Sequence, residues 1–327
     1  MATTTSTSAA ATAAATAAAT ESHGSGSHQP LAESIRRALR CPGCGSELED
    51  GPPLRCVSCG TAYPRTDDGP LDLRLHGTRS YQLDYEIGSG HPDETDVNLG
   101  SLPMNANPEV DFSTVPLPHH LTGELRSFFP RARNSDSVCI DIGCGRGICR
   151  DVVEHSGFAY LGFDYGNPAA ATWADAHALP LADNSIQFAI SNAVFEHIRF
   201  PHVAMSEVYR VLAPGGVFLG SVAFQEPYHS HSYYHFSHLG TLSCLQSSGF
   251  RVEHVSPSTT RRTLRSHSKV MYPRLPRKIA RPLVHLWQWT DDLYCRLATA
   301  IGLVSSEQRD FYIQRTTGVF KWVAHKD

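Results

Sequence analysis

Two pairs of cysteines near the start of the chain have the spacing of a metal site. Cys41 and Cys44 form one Cys-x-x-Cys pair, and Cys56 and Cys59 form a second. Four thiolates at this spacing can converge tetrahedrally on one Zn²⁺, which leaves no open position for catalysis. The alternative is two disulfides, which need an oxidising compartment that nothing else in the sequence indicates. We therefore expect a structural zinc ion, which would replace the hydrophobic core that residues 38–75 are too few to build.

A glycine-rich turn follows a short apolar run in the middle of the chain. Residues 137–141 (SVCID) favour a β-strand, and Gly143, Gly145 and Gly147 follow ahead of a helical stretch. A strand, a glycine turn and a helix in this order place backbone N–H groups where they can face a ligand. A second apolar run ends in Asp164, about 20 residues past the glycines, where an acid can bind ribose hydroxyls. Because glycine turns also occur for packing alone, the turn by itself is a weak indication.

Histidines and tyrosines are concentrated in residues 226–238 (EPYHSHSYYHFSH). Histidine is the side chain whose ordinary pKa suits it to act as a base near neutral pH, and a hydroxyl nucleophile needs such a base. The candidate catalytic bases are His229, His235 and His197. Each of them could equally be a structural hydrogen-bonding residue, and the tyrosines would suit stacking on an aromatic substrate.

The elements that must position these residues follow from the apolar pattern. Three segments have the pattern of buried strands and one has that of an amphipathic helix: 137–141, 186–190, 217–222 and 203–212. Strands that alternate with helices predict an α/β fold in which a parallel sheet carries helices on both faces. Ligands of such sheets bind at the carboxyl ends of the strands, where Gly143, Asp164 and Asn192 all fall.

Four successive segments resemble the motifs of the class I S-adenosylmethionine-dependent methyltransferases, in the same order. They are DIGCGRG from Asp141, GFDYGN from Gly162, ADAHALPLADNSIQFAISNAVFEHI from Ala174 and VYRVLAPGGVFLGSVAF from Val208. The cysteine-containing segment is similar to the zinc ribbons that precede some of these domains. The resemblance implies a Rossmann-like sheet of seven strands, S-adenosylmethionine as the cofactor, and methyl transfer.

The resemblance also implies a role for each matching position. Asp141 would orient the methionine amino group, Asp164 would bind the ribose, and Asp175 with the Ala176 backbone would contact the adenine. Asn192 would face the methyl-transfer site, although Asp175 could instead be a plain helix cap and Asn192 a turn residue. The complete predicted cofactor-binding set is Asp141, Gly143, Cys144, Gly145, Gly147, Asp164, Tyr165, Asp175, Ala176 and Asn192.

The chain divides by composition into four parts. Residues 1–30 are a low-complexity tail that we expect to be disordered, and residues 38–75 hold the zinc ribbon. Residues 76–118 are a linker or lid, in which Tyr81 is expected to reach the cofactor cleft. Residues 119–327 form the methyltransferase domain, with a helical insertion at about 256–315 before the last strand.

The insertion has a basic first part and an apolar-rich second part. Its first part has no acid between Glu253 and Asp291 but carries Arg261, Arg262, Arg265, Lys269, Arg274, Arg277, Lys278 and Arg281. One interpretation is a solvated basic face beside a helix whose Trp and Leu side chains belong to the core. The other is a helical cap over the substrate pocket. Its basic face could hold a substrate phosphate or carboxylate, or touch an anionic lipid surface.

Composition narrows the classes of function. With 28 Lys+Arg against 32 Asp+Glu in 327 residues, the net charge of −4 gives no general reason to expect a nucleic-acid partner. No apolar run approaches the roughly 18–20 residues that span a bilayer, so we expect a cytoplasmic protein without a transmembrane segment.

The favoured function is methyl transfer to a small or medium-sized molecule, with O-methylation preferred. Candidate substrates are secondary metabolites and glycan or lipid precursors, anionic or aromatic in character. One alternative is an RNA base methyltransferase, which the acidic surface of the ribbon opposes. Another is a non-methylating protein that keeps S-adenosylmethionine for cyclisation or partner binding. The sequence leaves the oligomeric state open.

Overall fold

The described residues cover the ribbon and most of the sheet-forming region. The computed structural model describes residues 31–65, 69–82, 100–227, 231–258 and 274–327, together with Thr263, His267 and Tyr272. Residues 1–30 and the candidate base His229 lie outside the described residues.

The cysteine-containing segment is built from one short helix and a small antiparallel sheet. Helix α1 (Glu33–Ala38) comes first, followed by β1 (Leu48–Glu49), β2 (Leu54–Cys56) and β3 (Ala62–Tyr63). Strand β2 pairs with both of its neighbours in the antiparallel sense.

Eight strands form the central sheet. They are β4 (Leu71–Asp72), β5 (Val138–Ile142), β6 (Ala159–Asp164), β7 (Thr172–Trp173), β8 (Ile186–Asn192), β9 (Leu212–Ala223), β10 (Arg251–Pro257) and β11 (Val319–His325). Their order across the sheet is β10-β11-β9-β8-β5-β6-β7-β4. Only β11 runs against its neighbours, pairing antiparallel with β9 and β10. The mixed α/β class with a mostly parallel sheet is therefore as predicted.

The helices that accompany this sheet are α2 (Gly123–Arg126), α3 (Arg150–His155), α4 (Pro201–Val211), α5 (His238–Ser247), α6 (Arg277–Ala300) and α7 (Ser306–Thr316). Helices α2 and α3 cover one face of this sheet and α4 and α5 the other, and the two further helices precede β11. Successive side chains of a strand point to opposite faces, so β5 contributes to two cores. Its residues Val138, Ile140 and Ile142 pack with α4 and α5, whereas Cys139 packs with α2 and α3. All five residues of β5 are buried, which explains why four of them are apolar, and the fifth is Asp141.

The sheet has eight strands rather than the seven expected, because residues just past the ribbon add an edge strand. Leu71 and Asp72 of β4 pair in parallel with Thr172 and Trp173 of β7. Side chains of the ribbon segment, including Ile35, Leu39 and Tyr63, are buried in the same core as the α4–α5 face of the sheet. The ribbon is thus joined to the sheet through shared core and shared strand pairing.

The described part of the segment between ribbon and sheet has no helix or strand until α2 begins. It is nonetheless packed, since Leu102, Val110 and Phe112 are buried in the core beneath α2 and α3. The ring of Phe112 meets that of Phe129 edge-on at 5.8 Å. Residues 100–112 therefore cover one face of the sheet.

Helices α6 and α7 stand between β10 and β11, where a helical insertion was expected. Tyr312 of α7 donates a hydrogen bond to Asp291 of α6 at 2.5 Å. Thr263 contacts Gln225 at 2.9 Å, which ties the insertion to the residues that follow β9. The expectation that its tryptophans are core residues is wrong for α6, because Trp287 and Trp289 are 58% and 59% exposed.

Among the residues that the structure describes, no helix combines the length and the apolarity needed to cross a bilayer.

Candidate functional site

The glycine turn lies at the carboxyl end of β5, between that strand and α3. Gly143, Gly145 and Gly147 all have positive φ, at 70°, 56° and 73°, a conformation that side chains disfavour. A Cβ at Gly143 would stand 2.3 Å from Val194 Cγ2, whereas one at Gly145 would meet nothing closer than Asn167 at 3.7 Å. The turn therefore needs glycine for its backbone at all three positions, and for space as well at Gly143.

Asp164 connects the glycine turn to the turn that follows β6. Its Oδ2 accepts a hydrogen bond from the Gly145 backbone N–H at 3.1 Å. Its Oδ1 accepts from the N–H groups of Gly166 and Asn167, at 3.1 and 2.9 Å. Because a carboxylate oxygen can accept more than one hydrogen bond, these contacts leave capacity for a ligand hydroxyl. This joining role was not anticipated from the sequence.

Asp141 is a buried carboxyl group beside the turn. It is 3% exposed, and its Oδ2 accepts a hydrogen bond from the Tyr160 hydroxyl at 2.7 Å. Burial, together with the charge of Asp164, raises the pKa of Asp141 to about 7 despite the Tyr160 bond. No cationic side chain among the described residues enters that balance. A cation placed here would favour the ionised form.

Asp175 lies in a turn, where it is hydrogen-bonded to a residue of the same turn, and not at the start of a helix. Its Oδ1 accepts from the backbone N–H of His177 at 2.9 Å and from Nδ1 of the same residue at 2.6 Å. Burial opposes ionisation, but the His177 hydrogen bonds outweigh it and hold the pKa of Asp175 below its usual value. His177 Nε2 accepts from Phe200 N–H at 3.2 Å, which assigns the neutral Nδ1–H tautomer. Ala176 is half-buried between these two residues.

Tyr81 is held against the same turn from the segment after the ribbon. Its hydroxyl donates a hydrogen bond to the backbone carbonyl of His177. Tyr81, which was expected to reach the cofactor cleft, thus contacts the turn that carries Asp175.

The end of β8 carries a backbone irregularity. Ala193 has φ of 56°, and its N–H donates to the Ser221 carbonyl at 2.9 Å. Positive φ at a residue with a side chain is uncommon and stores strain. Just before it, Asn192 Oδ1 accepts from the Ser221 hydroxyl at 3.4 Å. Just after it, Val194 presses on Gly143, so this bend and the glycine turn determine each other's position.

The two remaining predicted cofactor residues differ in exposure. Cys144 is 7% exposed, its N–H donates to the Phe163 carbonyl at 2.9 Å, and burial raises the pKa of its thiol. Tyr165 is 66% exposed. Both backbone groups of Cys144 are thus engaged within the protein, since its carbonyl accepts from the Gly147 N–H at 2.8 Å, while the Tyr165 ring is open to a ligand.

Arg74, just past β4, is a cation that the sequence did not single out. Its guanidinium lies 4.5 Å from the ring centre of Trp173 and 5.7 Å from that of Tyr165. Asp72 holds it through an ion pair of 2.6 Å. The edge strand contributed by the ribbon thereby brings a positive charge beside the turn of Asp164.

The two candidate bases that the structure describes, His197 and His235, do not form one cluster. His197 ends a single 3₁₀ turn (Phe195–His197), and its Nδ1 lies 3.1 Å from the carbonyl oxygen of His231. His235 is exposed in the stretch that leads into α5. His197 is therefore the described candidate that lies nearest in the chain to the bend at Ala193, four residues after it.

The loop after β9 is fastened to this 3₁₀ turn. The backbone N–H groups of Tyr233 and Tyr234 both donate to the Glu196 carbonyl, at 2.7 and 3.2 Å. The Tyr234 hydroxyl donates to the Arg199 carbonyl at 3.0 Å. Two segments distant in sequence, 195–199 and 231–236, are thus in contact near the carboxyl ends of β8 and β9.

The four predicted metal ligands come together. Their sulfur atoms all lie within 4.8 Å of one another, with Cys41–Cys59 at 3.7 Å and Cys44–Cys56 at 3.4 Å. Zn–S bonds of about 2.3 Å in a tetrahedron require S···S distances of about 3.8 Å, so the donors fit zinc.

Both halves of the cysteine site have the same backbone turn. The N–H of Gly45 donates to the Cys41 carbonyl at 2.8 Å, and that of Gly60 donates to the Cys56 carbonyl at 3.0 Å. Both glycines have positive φ, at 75° and 71°. This repetition explains the glycine that follows each pair in the sequence.

A cavity of about 270 Å³ lies away from all of these residues. Its lining includes Arg131, Gln187 and Gly216, at the amino end of β8 rather than the carboxyl end. Since ligands of parallel sheets bind at the carboxyl ends, we do not assign this cavity to the site.

Comparison with known proteins agrees with the arrangement around the glycine turn. Residues 117–266 match a family model described as a methyltransferase domain. An uncharacterized methyltransferase of Mycobacterium bovis is 30% identical over 106 residues, covering 28% of this chain and 42% of the relative. A probable S-adenosylmethionine-dependent methyltransferase of Mycolicibacterium smegmatis is 31% identical over 93 residues, covering 25% of this chain and 36% of the relative.

The chain spans less than half the length of these curated relatives. Among solved structures, an S-adenosylmethionine-dependent methyltransferase from Mesorhizobium loti matches at 18% identity, with a TM-score of 0.38, over 62% of this chain and 95% of that one. Similarity of that size carries no inference about function, and none is drawn from it. Residues 117–266, which make up somewhat less than half of the chain, are thus similar to a methyltransferase domain.

Proposed function

We propose that the protein transfers a methyl group from S-adenosylmethionine to a small or medium-sized acceptor, with an oxygen as the favoured methylated atom. The observation that carries the proposal is the buried Asp141 beside a glycine turn that Asp164 clamps from the next strand. A buried carboxyl group that has a raised pKa and accepts from the neutral Tyr160 hydroxyl suits a ligand that brings a positive charge.

Each of the predicted residues would contact a different part of the cofactor. Asp141 would pair with the methionine amino group, and Asp164 would accept the ribose hydroxyls. The turn of Asp175 and Ala176 would contact the adenine, and Asn192 would border the reacting end. The remaining members of the set, Gly143, Cys144, Gly145, Gly147 and Tyr165, would contribute backbone surface and one exposed ring.

Bound S-adenosylmethionine would supply a methyl group on a positively charged sulfur. Because the leaving group becomes neutral, the protein needs no acid to assist its departure. What the chain must do is hold the acceptor in line with that methyl group and exclude water. Residues 231–236, fastened over the 3₁₀ turn, are suited to closing this end of the site.

An oxygen acceptor also requires a base, which we propose to be His197, His235 or His229. The structure describes the first two of these and favours His197 by its closeness to the bend at Ala193. Replacing each in turn with glutamine should lower turnover at least about 100-fold for the true base. His202 of α4 is the matched control, since it contacts Ser247 at the end of α5 instead. Turnover that stays near wild type in all three variants would exclude a histidine base.

We also propose that the four cysteines hold one structural zinc ion. The fit of the sulfur distances and the paired glycine turns support this assignment. The nine cysteines, all of which the structure describes, are free thiols.

The test of the proposed activity is in two parts. S-adenosylhomocysteine binding is measured by calorimetry on the wild type, on Asp141→Asn and on the control Asp136→Asn at an exposed position. Loss of the charge at Asp141 should weaken binding about tenfold or more, and the control should not.

Turnover is then followed with labelled S-adenosylmethionine by quantifying S-adenosylhomocysteine across small-molecule hydroxyl and amine acceptors, and across RNA. Turnover on RNA alone would replace the small-molecule assignment. Tight binding with no turnover on any acceptor would favour a non-methylating role, such as cyclisation or partner binding.

A further inference from the structure

Helix α6 presents an apolar stripe to solvent. Residues spaced three and four apart share one side of the helix and are between 38% and 58% exposed: Ile279, Leu283, Leu286, Trp287, Leu293 and Leu297. Trp289 lies at the margin of the stripe and is 59% exposed. A single exposed apolar residue needs no explanation, but a continuous stripe over 24 residues of helix does.

The adjoining side of α6 already packs against the protein. Ala280, Val284 and Ala298 are 6%, 5% and 3% exposed. Asp291 on the same side is bonded to Tyr312 of α7. The helix therefore does not need its outward stripe to attach to the protein, and that stripe is left for an external partner.

The chain around the start of α6 is strongly basic. Arg274 and Lys278 are exposed, and the sequence has no acid between Glu253 and Asp291 although it has many Lys and Arg. A helix with Trp and Leu on one side and adjoining positive charge is suited to lie in the plane of a membrane interface. Tryptophan in particular prefers the level of the lipid headgroups.

We propose that α6 docks the protein on a membrane surface that contains anionic lipid. Arg274 and Lys278 would meet the headgroups, and the apolar stripe would enter the boundary between headgroups and acyl chains. A second copy of the chain is a poorer occupant, because a two-fold dimer through this face would bring two basic runs into one interface. The insertion leaves the sheet where β10 ends and β11 begins, at the carboxyl ends of the parallel strands. The proposal does not depend on methyl transfer.

Flotation of the full chain with vesicles tests the proposal. Vesicles of phosphatidylcholine alone are compared with vesicles in which phosphatidylglycerol replaces part of it. The protein should float with the anionic vesicles only, and binding should fall as salt is raised. The double variant L283Q/W287Q should bind about tenfold or more weakly, and Lys278→Glu at least about fivefold more weakly. Met104→Gln, which removes a 62% exposed apolar side chain elsewhere, is the matched control.

Tryptophan fluorescence gives a second readout. The chain has four tryptophans, of which Trp322 is wholly buried and Trp173 donates its N–H to the Asn167 carbonyl. A blue shift on adding anionic vesicles should therefore come from Trp287 and Trp289. Circular dichroism identical to wild type shows that each variant is folded.

Four results would overturn the proposal. The first three are no binding to anionic vesicles, equal binding to neutral vesicles, and undiminished binding by L283Q/W287Q. The fourth is a wild-type protein that binds no vesicles but has the mass of a dimer in solution, when L283Q/W287Q has the mass of a monomer.

Discussion

Replacing Gly143 by alanine tests whether the glycine turn and the bend after β8 determine each other. Two costs add at this position. A residue with a side chain at φ of 70° loses about 1–2 kcal/mol relative to glycine. The new Cβ would also lie 2.3 and 2.7 Å from the two methyl groups of Val194, and overpacking of this kind costs about 1–3 kcal/mol. Gly143→Ala should therefore lower the free energy of unfolding by about 2–5 kcal/mol.

Gly145→Ala is the matched control in the same turn. It has φ of 56°, but its Cβ would meet nothing closer than 3.7 Å. Only the backbone cost of about 1–2 kcal/mol should appear. The difference between the two variants isolates the contact with Val194.

The double variant Gly143→Ala/Val194→Ala completes the comparison. Removing both Val194 methyl groups should recover about 1–3 kcal/mol relative to the sum of the single variants. Urea unfolding with linear extrapolation measures these values, with zinc and ligand concentrations held equal. The reasoning is refuted if Gly143→Ala is no less stable than Gly145→Ala, or if the double-mutant cycle shows no coupling.

Three further predictions concern other parts of the molecule. Affinity for S-adenosylmethionine should rise with pH through about 7, because Asp141 loses its proton there. It should fall above about 8, where the α-amino group of the cofactor loses its proton. Calorimetry across pH should show that the rise is absent in Asp141→Asn. Metal removal by a chelator, or Cys56→Ser, should lower the melting temperature by at least about 4 °C, because the ribbon shares its core with the sheet; an unchanged melting curve with metal confirmed absent would contradict this. Tyr81→Phe should cost about 1 kcal/mol in urea unfolding by leaving the His177 carbonyl without its donor, whereas Tyr294→Phe at a 66% exposed position should cost nothing measurable.

Local pattern was sufficient for the parts of the fold that depend on short-range physics. The buried run of β5, the positive-φ glycines after it and the two cysteine knuckles each follow from residues close in sequence. The parallel sheet follows from strands that alternate with helices.

Contacts between segments that are distant in sequence could not be predicted from local pattern. Nothing about Leu71 and Asp72 indicates that they join β7, since two residues carry no periodicity. Arg74 gains its place beside Tyr165 only through that pairing. The strained φ of Ala193 has no signature in residue type, because alanine is not a residue that favours it.

The pairing of Tyr160 with Asp141 had a weak indication in the sequence. Gly162 follows Tyr160 by two residues on the same face of β6, and a Cβ there would lie 2.7 Å from the Tyr160 hydroxyl oxygen. A glycine two positions from a large side chain in a buried strand can thus mark where that side chain folds over the strand.

The attachment of β4 to β7 has a consequence for the order of events during synthesis. The ribbon emerges from the ribosome first, yet the strand that β4 must join is made about 100 residues later, a long-range contact of the kind that forms slowly. Until then β4 has a free edge that could pair with another chain. A ribbon already closed around its metal would hold those residues in one conformation while the rest of the sheet is translated, so zinc supply would act on the yield of folded protein as well as on its final stability.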